Sequence, residues 1–300
     1  MSGCLVLETE DPALEEWVGC RFLTCSILPV RMACNCKCKF CFSKSSISTL
    51  WQERSEWKNL PVRNYYRWAK DNGATRLVLT GGGEPLLRTS DVLYLIETGR
   101  EFFSEIACFT NGTFLTRDLS RQMIEAGLSY LCYSRHHEDD LRCRDLMGAQ
   151  APSLDAFFEA AEGLTIRATC VMAKDYVNSA EAVWRYIQTL VLYGVRQFTF
   201  KHTYVTYEQS LFQNSQENEW SRLHQVEFDP FQGVGEVIAR LPWGPEIRRI
   251  GELQVCYYYE PSPIWERRNH LCRSSNLLSD GKVYASLEDQ RSLLFQLKPY

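Results

Sequence analysis

Short apolar segments alternate with longer amphipathic segments through the first two thirds of the chain. Apolar and β-branched residues predict six strands, at 22–28, 76–80, 106–110, 130–134, 165–172 and 195–201. Between the strands, apolar residues at helical spacing predict helices at 57–72, 91–103, 116–127, 153–163 and 179–194. Strands and helices that alternate in this way are typical of βα units around a parallel sheet. The pattern therefore predicts an α/β fold.

The alternation fails in two places. Residues 135–150 are mostly polar and predict an irregular connection. After about Tyr204 the chain becomes irregular and rich in Trp, Tyr and Pro. We therefore expect a core at 1–204 and, within the same globule, an extension at 205–300 that closes the open side of the sheet and covers a substrate cavity.

Composition narrows the class of protein. A chain of 300 residues, 45% hydrophobic and 23% charged, can bury one large core. The net charge of −4 disfavours a broad nucleic-acid surface. Thirteen cysteines without a signal-peptide pattern disfavour a secreted disulfide framework, and no segment approaches the roughly 18 apolar residues that span a bilayer. The expectation is a cytoplasmic protein that has no membrane partner.

Four cysteines lie close together after the first predicted strand. Cys34, Cys38 and Cys41 have the spacing C-x3-C-x2-C, and Cys36 lies between them. Crowded thiolates select zinc, copper(I) or an iron–sulfur cluster. A structural zinc site usually pairs two short ligand hairpins, and no second hairpin follows here. A non-enzymatic zinc-binding interaction module and a redox-sensing thiol cluster remain alternatives, and Cys36 is interpreted as a bystander.

This cysteine spacing, with Phe40 directly before Cys41, resembles the cluster loop of the radical S-adenosylmethionine (SAM) superfamily. Gly82-Gly83-Glu84, after the second predicted strand, resembles the Gly-Gly-Glu segment of the same family. The layout is similar to the branch that contains the GTP cyclase of molybdenum-cofactor synthesis and the peptide-modifying maturases. The resemblance implies a partial (β/α)6 TIM-like barrel with one 4Fe-4S cluster on Cys34, Cys38 and Cys41.

The resemblance also implies a SAM site at the open iron of that cluster. Residues at the carboxyl ends of barrel strands face the active site. The alternative for several of them is ordinary turn or capping chemistry, since Asn-Gly is a common turn pair. The residues expected to contact SAM are Phe40, Gly82, Gly83, Glu84, Thr110, Asn111 and Ser134.

Four further residues are candidates for substrate contact or catalysis. His136 belongs to a run of histidines and acids that suits proton transfer, although a solvated loop is the common outcome of such a run. Lys201 and His202 lie at the end of the sixth predicted strand, and Arg88 follows the Gly-Gly-Glu segment. Arg88 is expected either to point to a carboxylate of SAM or substrate or to be an exposed arginine in the first turn of the next helix.

The implied reaction begins with one electron passing from the reduced cluster to SAM, which yields a 5′-deoxyadenosyl radical that abstracts hydrogen from substrate. A low-potential donor such as flavodoxin or ferredoxin is implied. No peptide-recognition domain is evident at either end, which favours a small-molecule or nucleotide-like substrate. A peptide-modifying maturase is the alternative.

The extension bears on the number of clusters. Cys272 is followed by Asp280-Gly281, which resembles the segment that carries an auxiliary cluster in relatives, but Ser286 stands where a ligand cysteine is expected. With only Cys256 and Cys272 after the barrel, the thiolates are too few for a second four-thiolate cluster. The sequence predicts one cluster, with Asp280-Gly281 as a hairpin turn.

Overall fold

The computed structural model describes residues 4–6, 17–50 and 56–300, and the strands within these ranges form one sheet. The strands are β1 (Cys4–Val6), β2 (Arg21–Leu28), β3 (Arg76–Leu79), β4 (Ile106–Thr110), β5 (Tyr130–Ser134), β6 (Ile166–Met172), β7 (Gln197–His202), β8 (Glu236–Arg240), β9 (Glu246–Ile250), β10 (Leu253–Tyr257), β11 (Leu271–Leu278), β12 (Lys282–Tyr284) and β13 (Leu293–Leu297). The α-helices are α1 (Val62–Asp71), α2 (Thr89–Gly99), α3 (Arg117–Ala126), α4 (Asp140–Met147), α5 (Leu154–Ala160), α6 (Ala180–Val191), α7 (Gln216–Leu223) and α8 (Pro263–Asn269).

The centre of the sheet confirms the predicted fold class. Strands β2 to β7 lie side by side in chain order, and each is parallel to the next. Helices α1, α2, α3 and α6 each connect two consecutive strands, as expected of βα units. The hydrogen-bonded order of the described strands does not return on itself, so the sheet is an open, partial barrel.

The extension contains more regular structure than the sequence indicated. Strand β11 pairs in parallel with β2, and β10 pairs in parallel with β7, so the extension adds a strand to each edge of the six-stranded core. The segment from 258 to 270, which contains α8, crosses between these two edges. These pairings join residues that are far apart in the chain, which is why local sequence patterns did not reveal them.

Local chemistry sets several helix boundaries. The Thr116 hydroxyl accepts a hydrogen bond from the Leu119 amide at 3.1 Å, and Gly127 ends α3 in the left-handed region at φ 109°. Helix α1 begins at Val62 rather than at the predicted residue 57, because Pro61 takes the N-cap position and 57–59 form a separate 3-10 turn.

Residues 135–150, expected to be an irregular connection, contain helix α4. The Asp139 carboxylate accepts a hydrogen bond from the Arg142 amide at 2.8 Å and caps the helix. The helix has only eight residues, so most of its stability comes from contacts elsewhere in the fold.

The predicted turn at Asp280-Gly281 is confirmed. It joins the antiparallel strands β11 and β12; Gly281 has φ 83°, and the Asp280 carboxylate accepts a hydrogen bond from the Lys282 amide at 3.0 Å. Among the described residues, no helix is both long and apolar enough to cross a membrane.

Candidate functional site

The cysteine loop lies at the carboxyl edge of the sheet, between the end of β2 and a 3-10 turn at Phe42–Ser45. The Gly-Gly-Glu segment that follows β3 packs directly against it. The Glu84 amide donates a hydrogen bond to the Ala33 carbonyl at 2.8 Å. A β-carbon added at Gly83 would lie 1.9 Å from the Ala33 oxygen, and one at Gly82 would lie 2.3 Å from the Val30 oxygen. Only glycine permits this approach of the two backbones.

The Glu84 side chain joins the ends of two strands. Its Oε1 accepts hydrogen bonds from the Thr110 hydroxyl at 2.6 Å and the Leu86 amide at 3.0 Å, and its Oε2 accepts one from the Asn111 amide at 2.8 Å. The side chain is buried, and burial raises the pKa of Glu84 to about 7 despite these three donors. Glu84 therefore positions the Gly-Gly segment relative to β4.

Asn111 continues this network to the cysteine loop. Its side-chain amide donates to the Cys34 sulfur at 3.7 Å and to the Asn35 side-chain oxygen at 3.0 Å. The structure thus brings Cys34, Glu84, Thr110 and Asn111 into one contiguous group.

The thiols of the loop influence one another's ionisation. A hydrogen bond from Cys36 lowers the pKa of Cys34 to about 6, with smaller contributions from Asn111 and Lys44. Burial raises the pKa values of Cys38 and Cys41, and the nearby Cys34 charge raises both further. The pKa values of Cys38 and Cys41 thus both respond to the charge on Cys34.

The donor set suits an iron–sulfur cluster. Each cysteine of such a cluster binds a different iron atom, so the three thiols need not converge on one point. Within the described ranges, no three His, Cys, Asp or Glu side chains surround a single-ion site. Cys36 packs with Cys143, Met147 and Ala151 in a small apolar cluster, and Cys38 packs against the same cluster. The residues present therefore fit a cluster held by Cys34, Cys38 and Cys41.

Helix α4, which the sequence did not predict, holds the middle of the cysteine loop. Its last carbonyls accept hydrogen bonds from loop amides: Lys37 donates to Met147 at 2.7 Å and Lys39 donates to Leu146 at 3.2 Å. The Lys39 ammonium also pairs with Asp145 at 3.3 Å. The orphan carbonyls of a helix C-terminus thereby fix the backbone around Cys38.

Arg135 fixes the position of α4 in turn. Its guanidinium is fully buried and donates to the carbonyls of His137 at 2.6 Å, Pro152 at 2.9 Å and Glu138 at 3.2 Å. It also pairs with Asp140, the first residue of α4, at 2.6 Å. No sequence pattern distinguishes such an arginine from a solvated one.

Replacing Arg135 with Met is therefore expected to weaken the cysteine loop without touching a ligand. The change leaves three partly buried carbonyls and the Asp140 carboxylate without their donor, which costs about 3 kcal/mol of stability. Iron retention after reconstitution should fall, and urea denaturation should show the loss of stability. Arg185→Met is the control, because Arg185 is 61% exposed and meets Glu138 at 3.4 Å. Equal iron and equal stability in the two variants would contradict this role.

Phe40 and His136 lie together beside the cysteine loop. Their ring centroids are 4.8 Å apart in an edge-to-face arrangement, and the Trp220 ring lies 6.2 Å from Phe40. The Val171 amide donates to His136 Nδ1 at 3.0 Å, so the neutral ring carries its proton on Nε2. Burial, with Lys201 and Arg135 nearby, lowers the pKa of His136 to about 3. His136 is thus a neutral hydrogen-bond donor at this site.

The other predicted residues lie in different surroundings. Ser134 ends β5 and is half-buried. Arg88 pairs with Asp91 at 3.0 Å rather than with another group of the site, and His202 is hydrogen-bonded to the Tyr257 hydroxyl at 3.1 Å. Lys201 faces a cavity shared with the extension, where it lies 3.9 Å from Glu260.

Helix α7 of the extension covers the cysteine loop, and sequence analysis missed it. Lys44 pairs with Glu217 at 2.6 Å, and the hydroxyls of Ser45 and Ser215 are hydrogen-bonded at 2.5 Å. Trp220 on the same helix faces Phe40 and stacks on His224, with centroids 4.0 Å apart. The polar sequence of α7 offers little signal beyond the Ser215 N-cap.

A polar cavity lies beside Phe42, the residue that follows Cys41 in the chain. It is enclosed by the end of β7, by β11 and by the segment 285–288. The side chains that line it include Phe42, Lys201, Tyr204, Glu260, Glu266, Arg273, Ser286 and Glu288.

Glu266, which lines this cavity, should make the free energy of unfolding depend on pH. Burial raises the pKa of Glu266 from 4.5 to about 8. Between these values the folded chain holds a proton that the unfolded chain has released, so the free energy of unfolding should fall as the pH rises from about 5 to 8, by several kcal/mol at most. Urea denaturation across this range should show that Glu266→Gln flattens the slope, whereas the exposed Glu236→Gln does not. An unchanged slope in Glu266→Gln would contradict the assignment.

Comparison with known proteins agrees with this geometry. The fold is an open, partial barrel with a loop of four cysteines at the carboxyl edge of its sheet. Residues 29–167 match the family model described as the radical SAM superfamily, and the chain carries a radical SAM domain. The matched segment is a little under half of the chain. No curated protein sequence matches the chain.

Solved structures support the fold. SuiB of Streptococcus suis bound to the precursor peptide SuiA is similar with a TM-score of 0.55 and 17% identity, over 89% of this chain and 60% of the SuiB chain. SuiB bound to S-adenosylmethionine is similar with a TM-score of 0.54 and 18% identity over the same shares. This chain thus spans about three fifths of SuiB, and at these identities the likeness concerns the fold.

Proposed function

We propose that this enzyme cleaves SAM reductively at a single 4Fe-4S cluster on Cys34, Cys38 and Cys41, and abstracts a hydrogen atom from a small-molecule or nucleotide-like substrate. When bound, the cluster and SAM supply a 5′-deoxyadenosyl radical after one electron arrives from a low-potential donor such as flavodoxin or ferredoxin. The observation that carries the proposal is the contiguous group formed by Cys34, Asn111 and Glu84.

The chain's own residues perform the binding and shielding. Gly82 and Gly83 let the segment after β3 pack directly on the backbone of the cysteine loop, because a β-carbon at either position would overlap Val30 or Ala33. Glu84 and Asn111 are proposed to hold the polar end of SAM, and Phe40 its adenine. The neutral His136 presents an Nε2 proton beside Phe40, and α7 limits the access of water to the loop.

The test is anaerobic reconstitution followed by incubation with SAM and dithionite. The expected result is a brown protein that forms 5′-deoxyadenosine, and candidate metabolites that are substrates should increase the yield. Cys34→Ala treated in the same way is the control for activity unrelated to the cluster. A colourless preparation with stoichiometric zinc and no 5′-deoxyadenosine would overturn the proposal in favour of a zinc-binding module.

A peptide substrate is the second candidate. The likeness to SuiB, described in complex with the precursor peptide SuiA, favours it and extends over 89% of this chain. Deuterium-labelled peptides and deuterium-labelled metabolites distinguish the two candidates, because only a substrate transfers its label to 5′-deoxyadenosine.

The number of clusters is a separate prediction. Cys272 is fully buried beside Trp17, Cys20 and Phe22, and burial raises the pKa of Cys256 to about 12. Iron analysis should therefore find about four irons per chain, unchanged in Cys256→Ala and Cys272→Ala. About eight irons, falling to four in Cys272→Ala, would instead reveal a second cluster.

A further inference from the structure

The polar cavity next to Phe42 contains more acidic than basic side chains. Two cations, Lys201 and Arg273, face three carboxyl groups, those of Glu260, Glu266 and Glu288. Glu260 already engages both cations: Arg273 forms an ion pair with it, and the Lys201 ammonium lies 3.9 Å away. Glu260 also accepts a hydrogen bond from the Tyr258 hydroxyl at 2.7 Å.

Glu266 is buried in the cavity wall with one of its oxygens unpartnered. The side chain is 6% exposed, and its Oε1 accepts a hydrogen bond from the Arg273 backbone amide at 2.7 Å. Its Oε2 has no hydrogen-bond partner among the residues that the structure describes. The pKa of Glu266 is raised to about 8 by burial, as expected for a carboxyl group without a countercharge.

Glu288 lies in the same cavity and is equally buried. It accepts hydrogen bonds from the Tyr204 hydroxyl and from the Tyr207 amide at 3.1 Å, and burial raises its pKa. Within 4 Å of its carboxylate, the described part of the chain offers no Lys, Arg or His. The Glu288 amide donates to the Ser286 hydroxyl at 3.2 Å, so the serine that stands in place of a ligand cysteine holds this turn.

A buried carboxyl group without a cationic partner takes up a proton, whereas a ligand that brings a positive charge would let it ionise and pair. An ammonium or guanidinium group would form charge-assisted hydrogen bonds to the free oxygen of Glu266, and the surrounding low dielectric would strengthen them. Edge-to-face packing of Phe42 on Tyr204, at 5.2 Å, places this cavity wall beside the cysteine loop.

We propose that this cavity binds a cationic group of the substrate, an ammonium or guanidinium, against Glu266 and Glu288. The inference rests on the proposed function for its assignment to the substrate, because the cavity lies one residue from the cluster ligand Cys41. The chemistry of the bound group is argued from the cavity alone. The cation belongs either to a small molecule or to a Lys or Arg side chain of a peptide.

Calorimetric titration of the reconstituted, SAM-loaded enzyme tests the proposal with matched probes. Butylguanidine and butylurea have nearly the same shape and differ in charge, as do Gly-Gly-Arg-Gly-Gly and its citrulline counterpart, both with blocked termini. We expect at least one cationic probe to bind ten times more tightly than its neutral partner. Tight binding of butylguanidine identifies a small-molecule source, and tight binding of the arginine peptide alone identifies a peptide source.

Variants assign the effect to the cavity. Glu266→Gln should reduce the preference for the cation to about twofold, whereas Glu236→Gln, on the exposed strand β8, should leave it unchanged. Glu288→Gln provides a second variant if Glu266→Gln does not fold. Equal affinity for charged and neutral probes, failure of both cationic probes to bind, or a preference that survives both variants would overturn the inference. Because binding is measured without turnover, a cation preference in an enzyme that forms no 5′-deoxyadenosine would count against the proposed function only.

Discussion

Cys34→Ala, Cys38→Ala and Cys41→Ala should each yield a chain that retains almost no iron and forms no 5′-deoxyadenosine. A site with three protein ligands has no spare thiolate, so the loss of one removes a third of the ligand set. Cys34 is the thiol of the loop that ionises most readily, with a pKa of about 6, and it lies within reach of Asn111. Iron content and absorbance near 400 nm after anaerobic reconstitution measure the effect.

Cys36→Ala is the matched control, because it removes a thiol from the same loop. Cys36 packs with Cys143, Met147 and Ala151 and donates a hydrogen bond to Cys34, so its loss should lower iron content only modestly. If Cys36→Ala lost its iron while one of the other three variants kept it, the ligand assignment would be wrong.

The core of the fold could be predicted because each of its strands and helices is indicated by residues within that same segment of the chain. Strands β2 to β7 are short apolar runs, and α3 has both a threonine N-cap and a glycine stop. The extension could not be predicted in the same way. Strand β11 pairs with β2, some 250 residues earlier in the chain, and nothing in its own sequence specifies that partner.

The candidate site was predictable in part for a similar reason. The cysteine loop and Gly82-Gly83-Glu84 carry spacing that is rare by chance, and the structure places them in direct contact. Helix α4 and the buried Arg135 support the same loop without any motif, since their contribution depends on which carbonyls the fold places around the guanidinium. Glu266 and Glu288 likewise look like ordinary surface acids in the sequence, and only the structure shows that both side chains are buried.

Glu84→Gln should weaken SAM binding tenfold or more and leave about four irons in place. Three donors, from Thr110, Leu86 and Asn111, point at the two oxygens of Glu84. An amide has a single oxygen, so its NH2 group would face at least one donor and leave that donor unsatisfied, at a cost of about 1–3 kcal/mol. No cluster ligand is altered, and the iron should therefore remain.

Substitutions at Thr110 test the same role of Glu84 by removing only one of its three hydrogen-bond donors. Thr110→Val removes one donor to Glu84 while keeping the shape of the side chain, and Thr110→Ser keeps the hydroxyl, so SAM affinity should fall in the first variant and be retained in the second. Glu105→Gln, in which the altered carboxylate meets Arg76 at 3.7 Å near the opposite end of β4, is the control. Equilibrium binding of SAM to the reconstituted variants provides the measurement. Wild-type affinity in Glu84→Gln would remove Glu84 from the SAM site, and wild-type affinity in Thr110→Val alone would show that the Asn111 amide suffices to position the carboxylate.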